Sequence, residues 1–318
     1  MPAMLTHDFF GRDAYARAMD VTDLYTPDER DAFMLGSQGP DPLFYLMLLP
    51  PLKVFERLGS DMHHVAPGPL LLSLRGAVDE LGEHDRSVGR AYLAGFVCHY
   101  LLDRAVHPLV FYWERGICHA GVEGLDGSDG SVVHAEIERD LDEMVLFSKR
   151  GETVETYRPY KEVLRGRDEM LRVLGDVYFA SVVGPLADGE PTANRVFPLA
   201  VTCFRVAQRM FWSPTGTKTS GLAALEGPLL HKRYSLVRAM SHRVRPEATS
   251  VFDNRDRVEW RNPFTNEASH ESFWDLYDGA LEQVKPAIEC VLGDGFDEGA
   301  VAKLTQGLNF GGEPVTES

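Results

Sequence analysis

The residues best suited to chemistry are two histidines and an aspartate in the segment HYLLDRAVH. His99, Asp103 and His107 are spaced four residues apart, so a helix would place all three side chains on one side. Most residues between them are apolar, which predicts that this side is buried, where unpaired polar groups cost several kcal/mol. The three groups could satisfy one another as a hydrogen-bonded core set, or they could hold a metal ion.

A second set with metal-ligand spacing follows in the helix predicted over residues 131–149. His134 and Glu138 are also four residues apart and would share a helix face. Alone, such a pair is commonly a surface pair, so its meaning depends on the first set. The segment GPDP holds an aspartate that could be a ligand or could only cap a turn. The candidate ligands before the two helices are His7, Asp41, and His63 or its neighbour His64.

These side chains have the composition of a zinc site. Zinc takes three or four nitrogen, sulfur or oxygen ligands and keeps a position open when it is catalytic. The eight candidate ligands are His7, Asp41, His63, His99, Asp103, His107, His134 and Glu138. They are too many for one ion and suit two or three Zn2+ ions with a bridging carboxylate. Clustered ions favour displacement at phosphorus, because they activate water and stabilise both the phosphoryl and the leaving oxygens.

Helices must position these ligands. Apolar residues recur with helical period along nearly the whole chain, and we find no run that alternates as strands do. We therefore predict an all-α protein, a single compact multi-helix domain over residues 1–318. The helices that concern the ligands are predicted at 8–19, 43–58, 85–113 and 131–149, with the segment Met62–His64 just past a helix end. Residues 244–270 are rich in Pro, Asn and Asp and predict a long irregular excursion, of the kind that often shapes a site.

Composition limits the function classes. The chain has 318 residues, 44% of them hydrophobic and 25% charged, which is ordinary for a soluble globular protein. A net charge of −16 argues against a groove for duplex nucleic acid, although bound divalent cations could still attract a phosphate. We see no apolar run long enough for a transmembrane segment and no signal peptide in this sequence, which predicts a cytoplasmic protein; secretion would need a leader. Four cysteines without a CxxC pair favour reduced thiols, with Cys118 expected at the surface.

Five motifs, in this order, resemble those of the zinc-dependent phospholipase C family. They are LTHDFFG, LGSQGPDPLFY, MHH, HYLLDRAVHP and HAEIERD. They cover roughly residues 5–140, and the later segment DNRDRVEWRNPFTNEASHESFWDLYDGAL is similar to the C-terminal half of bacterial members. The resemblance implies an all-α fold, a trinuclear zinc cluster and cleavage of phosphodiesters on the glycerol side of the phosphate. The S1/P1-type nucleases are more distant relatives with a similar metal architecture.

Carried over by position, the resemblance also implies a distribution of ligands. One ion would lie among His99, Asp103, Asp41 and His63, a second would be held by His7 with Asp103 as the bridge, and the remaining ion would be held by His107, His134 and Glu138. Asp41 matches the carboxylate proposed in that family as the general base for the attacking water. Secreted members complete the second site with an N-terminal tryptophan. Here water or Asp8 would have to substitute, which leaves two or three ions as the expectation.

Several functions use such a site. The first is a phospholipase C-like hydrolase of phospholipids or other phosphodiesters, which would allow transient contact with a membrane surface. The aromatic residues that could line a lipid-facing mouth, or simply belong to the core, are Phe9, Phe10, Phe44, Tyr45, Phe111, Tyr112 and Trp113. The second is a nuclease or phosphomonoesterase; a nuclease needs basic neighbours beside aromatic platforms, and the nearby candidates are Arg104, Arg115 and Arg139. The third is a metal-binding protein without activity. The head group and the oligomeric state are not predicted.

Overall fold

Helices form nearly all of the regular structure in a computed structural model of the chain. The structure describes residues 4–22, 24–49, 52, 55, 57–123, 125–186, 193–230 and 234–315. The α-helices in these ranges are α1 (Met4–Met19), α2 (Pro27–Gly36), α3 (Leu58–His64), α4 (Pro67–Asp79), α5 (Glu83–Cys118), α6 (Gly130–Arg150), α7 (Pro159–Glu162), α8 (Asp168–Tyr178), α9 (Val196–Phe211), α10 (Thr217–Leu230), α11 (Leu236–Ala239), α12 (Phe273–Leu292) and α13 (Glu298–Thr305). The prediction of an all-α protein is confirmed.

The predicted irregular segment over residues 244–270 carries the two strands found in the described ranges. Strands β1 (Trp260–Arg261) and β2 (Ala268–Ser269) pair antiparallel. The turn between them is tight, since the N–H of Asn266 donates to the carbonyl of Asn262 over 2.8 Å. The rest of the segment contains no helix.

Helix α5 is the central element. It has 36 residues and is therefore about 54 Å long, and α2, α12, α6 and α1 all pack against it. Its middle is buried on every side, and apart from the face that carries His99, Asp103 and His107 the sequence there is mostly apolar. Pro108 lies inside it and has no N–H to donate to the carbonyl of Arg104. Gly312 of the C-terminal segment packs at this place, where a Cβ would lie 2.6 Å from the ring of Pro108.

The packing of α2 on α5 depends on two glycines. A Cβ on Gly95 would lie 2.0 Å from the carbonyl oxygen of Phe33, and one on Gly36 would lie 2.2 Å from that of Tyr92. The backbones therefore approach more closely than any larger residue allows. Helix α2 begins with a capping box at Thr26. The C-terminal end of α2 packs against α5, so the loop that follows lies beside the polar face of α5.

Three local predictions are wrong. A 3-10 helix spans Asp41–Leu48 where the sequence predicts an α-helix over 43–58. It ends because Leu49, which precedes Pro50, adopts an extended backbone. Residues 50, 51, 53, 54 and 56 lie outside the described residues. Helix α3 begins at Leu58, so the MHH motif lies on a helix rather than past its end. Cys118 ends α5 with its side chain buried in the core instead of exposed.

A continuous hydrophobic core joins residues from α1 to α13 and surrounds α5. Within the described ranges, no helix combines the length and the apolar composition needed to cross a membrane. The extent of the domain, residues 1–318, stays a prediction.

Candidate metal centre

Asp103 lies at the centre of the site and contacts four imidazoles. Its Oδ1 is 3.0 Å from Nε2 of His7 and 3.8 Å from Nδ1 of His107. Its Oδ2 is 3.1 Å from Nε2 of His99 and 3.7 Å from Nε2 of His63. Helix α5 supplies three of these five side chains, while α1 supplies His7 and α3 supplies His63. The two carboxylate oxygens thus face different pairs of rings, as a bridging ligand requires.

A separate group forms where α5 meets α6. Nε2 of His134 and Nε2 of His107 lie 3.3 and 3.4 Å from the same atom, Oε1 of Glu138. One ligand atom from each of the three residues falls within 4.8 Å of the others. The spacing predicted for α6 is therefore realised on a buried face, not on the surface.

Asp41 completes the arrangement from the start of the 3-10 helix. Its Oδ1 lies 3.2 Å from Nε2 of His63. One ligand atom from each of Asp41, His7 and His99 also falls within 4.8 Å of the others. The structure thus brings all eight predicted ligands together, and His7 groups with Asp41 and His99 in addition to facing Asp103.

The structure separates the two pairs of neighbouring candidates. His63 turns inward, whereas His64 is exposed. His7 faces the cluster, but Asp8 faces the other side of α1, where its Oδ2 accepts a hydrogen bond of 2.7 Å from Nε of Arg12. Asp8 is therefore not a substitute ligand.

Three of the rings are oriented by bonds on their far side. The Nδ1 atoms of His63, His107 and His134 lie 2.7, 2.9 and 2.8 Å from the Gly59 carbonyl, the Phe310 carbonyl and a Glu114 carboxylate oxygen. If Nδ1 donates in each bond, the neutral ring presents the lone pair of Nε2 to a carboxylate oxygen. Two acceptors can face each other only with a cation or a proton between them. This outer hydrogen bonding is typical of metal-bound histidines.

The two remaining rings are buried without such bonds. Nδ1 of His7 and both ring nitrogens of His99 have no hydrogen-bond partner among the described residues. Nε2 of His99 is close to Asp103, but its orientation does not suit a hydrogen bond. The rings stack on each other with centroids 4.1 Å apart. Buried polar atoms are rarely left unsatisfied, so Nε2 of His99, which lies 3.1 Å from Oδ2 of Asp103, fits a bound ion.

The electrostatics of the cluster agree with this fit. Burial by itself would lower the pKa of His134, but Glu138 and Glu114 outweigh it and raise the pKa to about 9. Burial is also outweighed at Asp103, whose pKa is held well below its usual value by the surrounding imidazoles. Burial lowers the pKa of His99. In the metal-free protein the carboxylates therefore hold protons on some rings, and a dication would displace those protons.

A small cavity lies between the groups. It has a volume of about 20 Å³ and is lined by His7, Asp103, His107 and Glu138, together with apolar side chains. This volume suffices for one ion or one water molecule. The donors are imidazole nitrogens and carboxylate oxygens, which suit zinc. The residues present fit a metal cluster.

The cluster opens onto a pocket of about 560 Å³. His63, His107 and His134 form its floor. Its other lining residues include Phe44, Phe111, Leu236, Phe264, Glu114, Arg115 and Glu313. Phe264 comes from the excursion, and the guanidinium of Arg115 lies 5.0 Å above its ring. The excursion therefore shapes the mouth, as its length predicts.

The aromatic residues proposed for the mouth divide between the pocket and the core. Phe44 and Phe111 line the pocket. The residues that pack elsewhere are Phe9, Phe10, Tyr45, Tyr112 and Trp113.

Three residues at the site carried no prediction. Gly39 has φ +52°, and a Cβ there would lie 2.2 Å from Cδ2 of His99, so glycine leaves room for that ring. Glu114 could have been found, because it lies seven residues after His107 on the same helix and hence on the same face. Phe310 binds His107 through its main chain, for which a sequence has no signal.

The comparisons with known proteins add no relative: no protein-family model, no curated protein and no solved structure gives a match.

Proposed function

We propose that the protein is a zinc-dependent phosphodiester hydrolase of the phospholipase C type, as the motifs suggest. The observation that carries the proposal is the convergence of five imidazoles and three carboxylates from five segments of the chain. The Nε2 atoms of His63, His107 and His134 face carboxylate oxygens while their Nδ1 atoms are held from behind. A core built only for stability would not expose such groups to a pocket.

Each group of ligands would hold one ion. Asp41, His63, His99 and Asp103 would hold the first, and His107, His134 and Glu138 would hold the second. His7 would hold a third beside Asp103. Bound zinc would supply an activated water and stabilise the phosphoryl and leaving oxygens.

Asp41 would accept the proton of the attacking water. Its carboxylate is buried, which by itself would raise its pKa, but the hydrogen bond from His63 and the charge of His99 lower the pKa instead. The group is therefore ionised at neutral pH, which is the form that a proton acceptor needs. Nε2 of His63, 3.2 Å from its Oδ1, would keep it oriented.

The pocket favours a phosphodiester with apolar parts over a polyanion. Phe44, Phe111 and Phe264 form apolar walls, and Glu114 with Glu313 would repel the neighbouring phosphates of a nucleic acid strand.

The arginines near the motifs do not change this preference. Arg104 donates to the Leu304 carbonyl over 2.8 Å, and Arg139 donates to the Arg238 carbonyl over 2.6 Å. Arg115 lines the pocket, but it donates to the Pro263 carbonyl over 2.7 Å. A nuclease on the same site is the less favoured function.

The test begins with metal content. Purified protein loaded with zinc and desalted is expected to retain two or three ions, by elemental analysis. His63→Ala should lose at least one ion, while His64→Ala, which changes the exposed neighbour, should lose none. Equal losses in both variants, or a wild-type protein without zinc, would overturn the assigned site.

Activity is then measured on three substrates. Phosphatidylcholine vesicles and bis-p-nitrophenyl phosphate should be hydrolysed, and single-stranded DNA should not. Turnover of DNA alone would replace the proposal by the nuclease function. Bound zinc without turnover of any of the three would show a metal-binding protein instead of an enzyme.

A further inference from the structure

His7 differs from the ligands that line the pocket in how its ring is held. His63, His107 and His134 each have an outer hydrogen bond at Nδ1, whereas Nδ1 of His7 has no partner among the described residues. The ring stacks on His99, but stacking does not fix its distance from Asp103. The position of His7 must therefore come from the helix that carries it.

The first turn of α1 is anchored by a carboxylate on α6. The N–H groups of Leu5 and Thr6 donate to Oδ2 and Oδ1 of Asp142 over 3.0 and 2.7 Å, and the Thr6 hydroxyl donates to Oδ1 over 2.7 Å. The first N–H groups of a helix have no partner within the helix, and they favour a negative charge. The first turn of α1 contains no acidic residue, so Asp142 supplies that charge from another helix.

The same carboxylate also binds a histidine just before the irregular segment. Nε2 of His242 lies 2.9 Å from Oδ2 of Asp142, whose side chain is completely buried. Four bonds thus converge on one group. Asp142 follows Glu138 by four residues, and Glu138 follows His134 by four, so one face of α6 carries two ligands and then the anchor.

We infer that Asp142 is a positioning residue that sets His7 at bridging distance from Asp103 and thereby controls occupancy of the ion that His7 holds. The inference rests on the proposed metal cluster. His7 directly follows the anchored Thr6, so a shift of this turn moves its Nε2, now 3.0 Å from Oδ1 of Asp103. Asp142 itself touches neither the ions nor the substrate.

The experiment compares zinc content and affinity of Asp142→Ala with those of a matched control. Glu226 anchors α11 in the same way, accepting from the N–H groups of Leu236 and Val237 over 2.9 and 3.2 Å. Asp142→Ala should bind one ion 10- to 100-fold more weakly, the range found when groups behind a metal ligand are removed. Glu226→Ala should keep the wild-type content. Equal losses in the two variants, or an undiminished zinc content in Asp142→Ala, would overturn the inference.

A double variant identifies the ion. His7→Ala should lose the same ion, and the double variant of His7 and Asp142 should lose nothing further, because both changes act on one site. Cobalt substitution gives a second readout: Asp142→Ala should lose the part of the visible absorption that His7→Ala loses. Additive losses would show that Asp142 acts elsewhere.

Asp142→Asn tests the inference even if Asp142→Ala does not fold. Asparagine keeps one oxygen for Thr6, so this variant should retain far-ultraviolet circular dichroism and show an intermediate affinity for the same ion. An Asn variant with wild-type affinity would contradict the inference. If the wild-type protein binds no zinc, the proposed function and this inference both fall; if it binds zinc but hydrolyses nothing, only the proposed function falls.

Discussion

Replacing Asp103 by Asn should remove more than one ion from the protein. The substitution keeps the shape of the side chain but removes its charge. Oxygens of Asp103 lie 3.0 to 3.7 Å from Nε2 of His7, His63 and His99, so an ion held by those nitrogens would lie close to it. His107 turns Nδ1 toward Asp103 and Nε2 toward Glu138, so its ion would lie farther away. At about 4 Å and an effective dielectric constant of about 20, two unit charges attract by about 4 kcal/mol, so loss of the carboxylate charge beside a dication costs at least that much. This corresponds to about 1000-fold in the dissociation constant of each ion that the carboxylate faces.

The assay is equilibrium dialysis against buffered zinc, followed by elemental analysis. The Asp103→Asn protein should lose the ion held by His63 and His99 and the ion held by His7. It should keep the ion held by His134 and Glu138. The matched control is Asp8→Asn, since Asp8 is equally buried but faces Arg12 on the other side of α1. Loss of at most one ion from Asp103→Asn would refute the bridging role. Loss from Asp8→Asn would show that zinc content merely reports general damage to the fold.

Three further predictions concern the framework. Gly95→Ala should lower the free energy of unfolding by about 1–3 kcal/mol, because the new Cβ would meet the backbone of α2. Gly116→Ala, in an exposed part of the same helix, places its Cβ in open space and should be neutral or stabilising. Denaturant titration compares the two variants. Gly39→Ala should weaken zinc binding as well as stability, because its Cβ would occupy the space of a ligand ring at a positive φ; intact zinc affinity would contradict this. Hydrogen bonds from Ser272 lower the pKa of Asp275. The capping box therefore stabilises the folded protein above about pH 4, and this contribution is lost as the pH falls through the folded-state pKa. The thermal destabilisation caused by Ser272→Ala should accordingly be smaller at about pH 3 than at about pH 7.

Much of the site follows from local sequence rules. The spacing of His99, Asp103 and His107 fixes their common face once the segment is helical, because side chains four residues apart lie one above the other. The same rule applies to His134 and Glu138. The apolar surroundings of both sets predict burial, and burial of so many polar groups indicates a shared ion. No tertiary information enters these steps.

Local rules fail where the chain leaves regular helices. The apolar residues of the segment after α2 predict an α-helix over 43–58, but the chain forms a 3-10 helix that ends before Pro50. The first residue of that helix, Asp41, lies 3.2 Å from His63. Nothing in the pair His7–Asp8 says which residue faces inward. Packing decides this, because α1 presents His7 to α5 while Asp8 meets Arg12 on the opposite side.

The sequence by itself determined the helical class, the candidate ligands and their grouping along α5 and α6. Only the tertiary structure decided how the groups meet and what holds them. The Phe310 carbonyl reaches His107 across 203 positions, and Asp142 reaches Thr6 across 136. Such contacts form because burying the apolar faces of α1, α5 and α6 brings distant segments together. Any polar group buried between those faces needs a hydrogen-bond or charge partner, and no local sequence pattern specifies that partner.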